Sequence, residues 1–255
     1  MTWLPLDRGR RWIRSASACV LAACLSAGTT QPRLSGTGTP ILFIGNSLTY
    51  VNDVPGIVQA LAAVRGDSLA VETVAFPDYA LIDHWNDGSG RGTARGEIAA
   101  TKWKFVVLQQ GPSSVAVNRD TLRLSAKLFA PGIAQAGGVP ALFSAWPASD
   151  RIQDFQAAIQ SYSLAASDVS GVLLPVASAW LAAWQRSPTL ALYSDGLHAS
   201  VSGSYLSALA IYAVVVHKTP VGLPASLTLR SGARIAVDSA TAATLQAAAA
   251  SVTGW

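Results

Sequence analysis

The sequence predicts an α/β domain: a parallel sheet with helices on both faces. Two observations carry this. Short apolar runs alternate with longer helical patterns from about residue 40 to residue 251. Apolar residues make up 51% of the 255-residue chain and charged residues only 13%, which excludes a disordered chain and a charge-solvated coiled coil.

The strand candidates are residues 41–44, 69–75, 105–108, 139–144 and 171–176. Their near-continuous apolar character suits strands covered on both faces. Helices are expected over residues 54–65, 92–101, 119–136, 150–167, 177–185 and 202–218. The first has Asn52 or Asp53 as cap and Pro55 in its first turn. Residues 227–229 and 235–237 flank Ser231-Gly232 as a candidate hairpin, and a closing helix is expected over 238–251. In such a sheet, ligands bind beyond the carboxyl ends of the strands, so a functional motif should follow a strand.

The amino-terminal segment is different in kind. Arg8, Arg10, Arg11 and Arg14 face one acid, Asp7, and a short apolar run follows over 16–27. A basic stretch before a short apolar run reads as a secretory signal. Leu21-Ala22-Ala23-Cys24 resembles the lipobox of bacterial lipoproteins, which implies cleavage before Cys24 and its lipidation. The expected organisation is a signal over 1–23, a Ser/Thr/Gly/Pro-rich tether over 24–39 and one domain over 40–255. The protein is then expected to be exported and held to the membrane through Cys24, with a secreted or periplasmic protein, or a retained anchor, as the alternatives. The net charge of +4 falls to +1 once the four arginines and Asp7 are removed, so no basic footprint for nucleic acid remains. Cys19 and Cys24 are the only cysteines, so no disulfide is expected in the domain.

Two motifs carry chemistry. Gly45-Asn46-Ser47-Leu48-Thr49 follows the first strand and precedes the first helix. A serine there sits where backbone N–H groups can stabilise an anion. Alone, it reads more readily as a helix cap. Ser194-Asp195-Gly196-Leu197-His198 follows the fifth strand. Asp195 and His198 are three apart, so the carboxylate can accept the imidazole N–H and leave the other nitrogen free to take a hydroxyl proton. Alone, this reads more readily as a surface turn.

Together, in the order Ser, Asp, His, the motifs resemble those of the SGNH hydrolases, the GDSL esterase/lipase superfamily. The resemblance spans about residues 40–221. It implies a three-layer α/β/α, flavodoxin-like domain with a five-stranded parallel sheet. It implies ester hydrolysis through an acyl-serine, with Ser47 as nucleophile, His198 as general base and Asp195 as orienting acid. It also implies three oxyanion donors. The Ser47 amide is the first. Asp78 stands where the family has a glycine, and its amide is the second. Gln109-Gln110-Gly111-Pro112 stands where the family has its asparagine, so Gln110, favoured over Gln109, is the third.

The remaining candidates are weaker. His84, in Asp83-His84-Trp85, is expected to line the cleft or cap a helix rather than to form a second acid–base pair. Trp146 follows the fourth strand and is the candidate sugar platform. There is no metal-binding spacing, no G-x-G-x-x-G opening a helix and no G-x-S-x-G elbow, so neither metal nor cofactor is expected. The expected function is a serine esterase acting on small acyl groups of a carbohydrate. The alternatives are a lipid esterase or acyltransferase with the same triad, and a non-catalytic carbohydrate-binding protein of the same fold. A histidine base implies activity that falls with acidification.

Overall fold

A computed structural model describes residues 37–255. The expected signal, Cys24 and nearly all of the expected tether lie outside the described residues. The elements in chain order are β1 (Thr39–Gly45), α1 (Ser47–Tyr50), α2 (Val54–Val64), β2 (Leu69–Ala75), α3 (Leu81–Asn86), α4 (Ala94–Ala100), β3 (Phe105–Leu108) and α5 (Ala116–Gln135). There follow β4 (Val139–Phe143), α6 (Phe155–Asp168), β5 (Val172–Leu174), α7 (Val176–Arg186), α8 (Val201–Val215), β6 (Ser226–Thr228), β7 (Arg234–Ala236) and α9 (Ser239–Thr253).

The five main strands form one parallel sheet in the order β2-β1-β3-β4-β5. Right-handed crossovers then sort the helices into two layers. The step from β1 to β2 runs one way and places α2 on one face, where it packs with α8, which in turn packs with α7 and α9. The steps from β2 to β3, β4 and β5 run the other way and place α3, α4, α5 and α6 on the opposite face. The fold is the expected three-layer α/β/α arrangement. Residues 41–45 of β1 are fully covered, as a central strand between two helical layers requires. The chain reverses direction between β1 and β3, and that is where a sheet of this class opens a crevice at its carboxyl edge.

Two short helices, α1 and α3, were not expected from the sequence. Four and six residues are too few to show a helical period. The helix expected from 150 begins as a 3₁₀ turn over Ser149–Asp154, because Arg151 sits at φ −128° and breaks the α pattern. The hairpin forms as β6 and β7, antiparallel, one residue earlier than expected on both strands. Among the described residues, no helix is long and apolar enough to cross a membrane.

The edge strand β2 carries an inward charge. Burial, followed by the nearby Glu97 of α4, pushes the Glu72 carboxyl up from its ordinary 4.5 to about 7, while Arg91 acts the other way. Folding therefore favours the protonated acid. This contribution is complete below about pH 4.5 and is lost as pH rises through about 7. Glu72→Gln should shrink the fall in melting temperature between pH 5 and pH 8, measured by thermal melts of variant and parent. An unchanged fall would show that Glu72 ionises normally.

Candidate active site

The turn after β1 is built around one buried carboxamide. Gln109 Oε1 accepts from the Asn46 backbone N–H at 2.9 Å and from Thr49 Oγ1 at 2.7 Å. Gln109 Nε2 donates to Asn46 Oδ1 at 3.0 Å and to the Gln110 carbonyl at 2.6 Å. Gly45 must lack a side chain, because a Cβ there would collide with Gln109 Oε1 and Thr49 Oγ1. Asn46 is the N-cap of α1: its Oδ1 accepts from Leu48 N at 3.1 Å and its Nδ2 donates to the Tyr79 carbonyl at 3.0 Å. Ser47 is thus left half-buried at the start of α1 with its hydroxyl free to meet the partner described next.

That partner is His198. Its Nε2 lies 2.9 Å from Ser47 Oγ, and its Nδ1 lies 2.7 Å from Asp195 Oδ2. The other carboxylate oxygen, Oδ1, accepts the backbone N–H groups of Leu197 at 2.9 Å and His198 at 2.7 Å, with Gly196 at φ +87° closing the turn. These contacts hold the Asp195 carboxyl down at about 2, led by the His198 side chain and then the two backbone N–H groups. The acid is therefore ionised at neutral pH. The Asp195 side chain is 55% exposed, so water screens its charge on the ring.

The His198 loop is tied to the loop after β4 by three hydrogen bonds. Trp146 Nε1 donates to the Leu197 carbonyl at 2.9 Å, Ser149 N to the Gly196 carbonyl at 2.8 Å, and Tyr193 Oη to the Pro147 carbonyl at 2.5 Å. From the Ser47 side, Asn52 Nδ2 donates to the Ala199 carbonyl and to Ser204 Oγ, both at 3.0 Å. Asn52 and Asp53 both take left-handed backbone, at φ 57° and 55°, which Asn and Asp tolerate better than other side chains. No motif in the sequence points to Asn52, Ser149 or Tyr193, because each acts through a contact distant in the chain.

The structure sorts the other candidates. Asp78 is exposed and left-handed, at φ 59°, in a turn where Pro77 precedes it and Tyr79 N donates to the Phe76 carbonyl at 3.4 Å. Such a turn wants a glycine at that position, so the aspartate departs from the pattern but not from the backbone shape. Among the described residues neither the Ser47 nor the Asp78 backbone N–H has a hydrogen-bond partner. Gln110 is different. Its Nε2 is committed to Ser113 Oγ at 2.9 Å and the Asn118 carbonyl at 3.3 Å, and its Oε1 accepts from Leu81 N at 3.1 Å. With Gln109 equally engaged, neither glutamine amide is spare for an oxyanion; both brace the loops around the serine.

His84 and Trp146 do not line an open cleft. His84 is fully buried on α3 against the rings of Phe76 and Tyr79. Its Nε2 lies 2.8 Å from the Gly45 carbonyl, which can only accept, so Nε2 carries the proton and the partnerless Nδ1 is bare. Burial lowers its pKa and keeps the ring neutral. Asp83 is not its acid–base partner; it accepts from Ala80 N at 2.8 Å as a cap. Trp146 is fully buried and stacks on Trp180 with centroids 4.2 Å apart, its only polar atom holding the His198 loop. A tryptophan after a strand on the ligand edge looks the same in sequence whether it faces inward or outward.

No family model matches the chain, and no curated protein matches it. Solved structures do. A DUF4886 family protein from Bacteroides uniformis aligns with a TM-score of 0.70 at 16% identity, over 86% of this chain and 95% of that one. A candidate SGNH hydrolase from Slackia heliotrinireducens aligns with a TM-score of 0.55 at 25% identity, over 69% and 97%. An acetyl xylan esterase from Geobacillus stearothermophilus aligns with a TM-score of 0.51 at 18% identity, over 69% and 94%.

Trp146→Phe keeps an aromatic ring, though a smaller one, and deletes the N–H that holds Leu197. It should lower kcat by about tenfold, the equivalent of one hydrogen bond of about 1.4 kcal/mol, and leave KM near the parent value. Steady-state kinetics on a soluble ester check this; a rise in KM with kcat unchanged would instead make Trp146 a substrate contact. In fold, the chain is similar to the SGNH hydrolases, the GDSL esterase/lipase superfamily.

Proposed function

We propose that the protein is a serine ester hydrolase working through an acyl-Ser47 intermediate. One observation carries the reading: Ser47 Oγ, the His198 ring and the Asp195 carboxylate stand in hydrogen-bonded series, at 2.9 and 2.7 Å. His198 Nε2 takes the hydroxyl proton as Ser47 Oγ attacks the ester carbonyl. The carbonyl oxygen becomes an anion beside the unpartnered N–H groups of Ser47 and Asp78. As the tetrahedral species collapses, the bond to the leaving alcohol breaks and His198 returns the proton to it. A water then gives a proton to His198 and attacks the acyl carbon; as the bond to Ser47 Oγ breaks, His198 passes that proton to Oγ, which restores the hydroxyl and releases the acid. Asp195 holds Nδ1–H toward itself throughout, so Nε2 is the free base.

A small acyl group on a carbohydrate is the proposed substrate, in keeping with an acetyl xylan esterase among proteins of this fold. The Trp146 platform no longer supports it, since that ring is buried. The protein is further proposed to work outside the cytoplasm, tethered through a lipidated Cys24. Intact mass before and after deacylation tests that part.

With p-nitrophenyl acetate, Ser47→Ala and His198→Ala should each lose at least about a thousandfold in kcat/KM. Asp195→Ala should lose less, about a hundredfold, because its carboxylate is half in water. Equal turnover by parent and Ser47→Ala would remove Ser47 from the reaction.

A further inference from the structure

Away from Ser47, a groove of about 670 Å3 runs between α3, α4 and α5. Its far end lies by the carboxyl ends of α4 and α5, which feed the starts of β3 and β4, whereas Ser47 sits beyond the opposite ends of the strands. The groove exists because Ala99, Ala100, Gly132 and Ala136 offer little side chain where α4 faces α5. A Cβ added to Gly132 would touch only Ile98, at 3.6 Å.

The walls have two characters. Trp85, Ile98, Leu128 and Phe129 are apolar, and Trp85 meets Phe129 edge-on with centroids 5.3 Å apart. Arg95 and Lys102 supply two positive charges. The Arg95 guanidinium lies 4.3 Å over the Trp85 ring and donates weakly to the Trp85 carbonyl at 3.4 Å. Neither cation belongs to any ion pair among the described residues. An apolar trough with unpaired cations at its side suits one kind of guest: an apolar body with a single anionic head. The planar guanidinium is matched to a carboxylate, and the volume falls in the range of small-molecule sites. A neutral hydrocarbon would leave both charges unused, and a cationic amphiphile would be repelled.

We propose that this groove binds a free medium-chain carboxylate, with the chain along Trp85 and Leu128 and the head drawn by the positive charge of Arg95 and Lys102. This does not depend on the ester chemistry, because a free carboxylate has no bond for Ser47 to cleave.

Calorimetric titration of the full chain with decanoate below its micellar concentration tests the proposal. One saturable site is expected, with decyltrimethylammonium bound at least about tenfold more weakly. The double variant Arg95→Gln, Lys102→Gln should weaken decanoate by about tenfold or more. Ala99→Trp, which fills the trough, should abolish the site while melting as cooperatively as the parent; if it does not fold, the charge variant decides. The proposal is overturned by equal affinity for the two amphiphiles, by decanoate binding undiminished in the folded Ala99→Trp or in the charge variant, or by binding only to vesicles of an anionic phospholipid.

Discussion

A single carboxamide, that of Gln109, holds the turn that presents Ser47. It lies at the end of β3 and spans to the end of β1, and all its hydrogen-bonding capacity toward the turn is spent on Asn46 and Thr49. The group is fully buried, so each bond it makes replaces one that water would have made. Leaving any one of these partners unpaired would cost about 1–3 kcal/mol. The residue types of the turn follow. Gly45 leaves room for the amide, Asn46 offers it both a donor and an acceptor, and Thr49 adds a hydroxyl. His84 supports the same turn from below through the Gly45 carbonyl. Gly-Asn-Ser-Leu-Thr and Leu-Gln-Gln-Gly are therefore two halves of one hydrogen-bonded unit.

The second half of the site depends on different physics. The His198 loop has little core of its own, and Asp195 folds it locally by accepting three N–H groups, two from backbone and one from the ring. Its position relative to Ser47 is set by the loop after β4 and by Asn52, through bonds that span dozens of residues along the chain. Sheet topology makes this possible. The reversal between β1 and β3 opens the carboxyl edge where the loops after β1, β3 and β4 converge.

The five strands and the main helices were legible because buried parallel strands read as apolar runs and long helices repeat their period. The runs at 41–44 and 105–108 fall inside β1 and on β3. The helix boundary at 150 was misplaced because Arg151 breaks the pattern with a backbone angle that composition does not reveal. Ser47, Asp195 and His198 were legible because two specific motifs coincide in one chain. Gln110 was misassigned because glutamine reads as a donor in any setting, and only three-dimensional neighbours show that its amide is already engaged. Trp146 and His84 were misplaced for a related reason: large polar-tipped rings look the same in sequence whether buried or exposed, and here both are fully covered. The groove between α4 and α5 had no sequence signal, since it is made by small residues on separate helices.

Covalent capture by a fluorophosphonate tests the central claim most directly. The reagent needs an activated serine and an oxyanion site but no knowledge of the natural ester. Peptide mass analysis should find the phosphonyl adduct on Ser47 alone in the parent chain, and no adduct when His198 is replaced by alanine. An adduct on a different serine, an unlabelled parent, or labelling that persists without the imidazole would contradict the account.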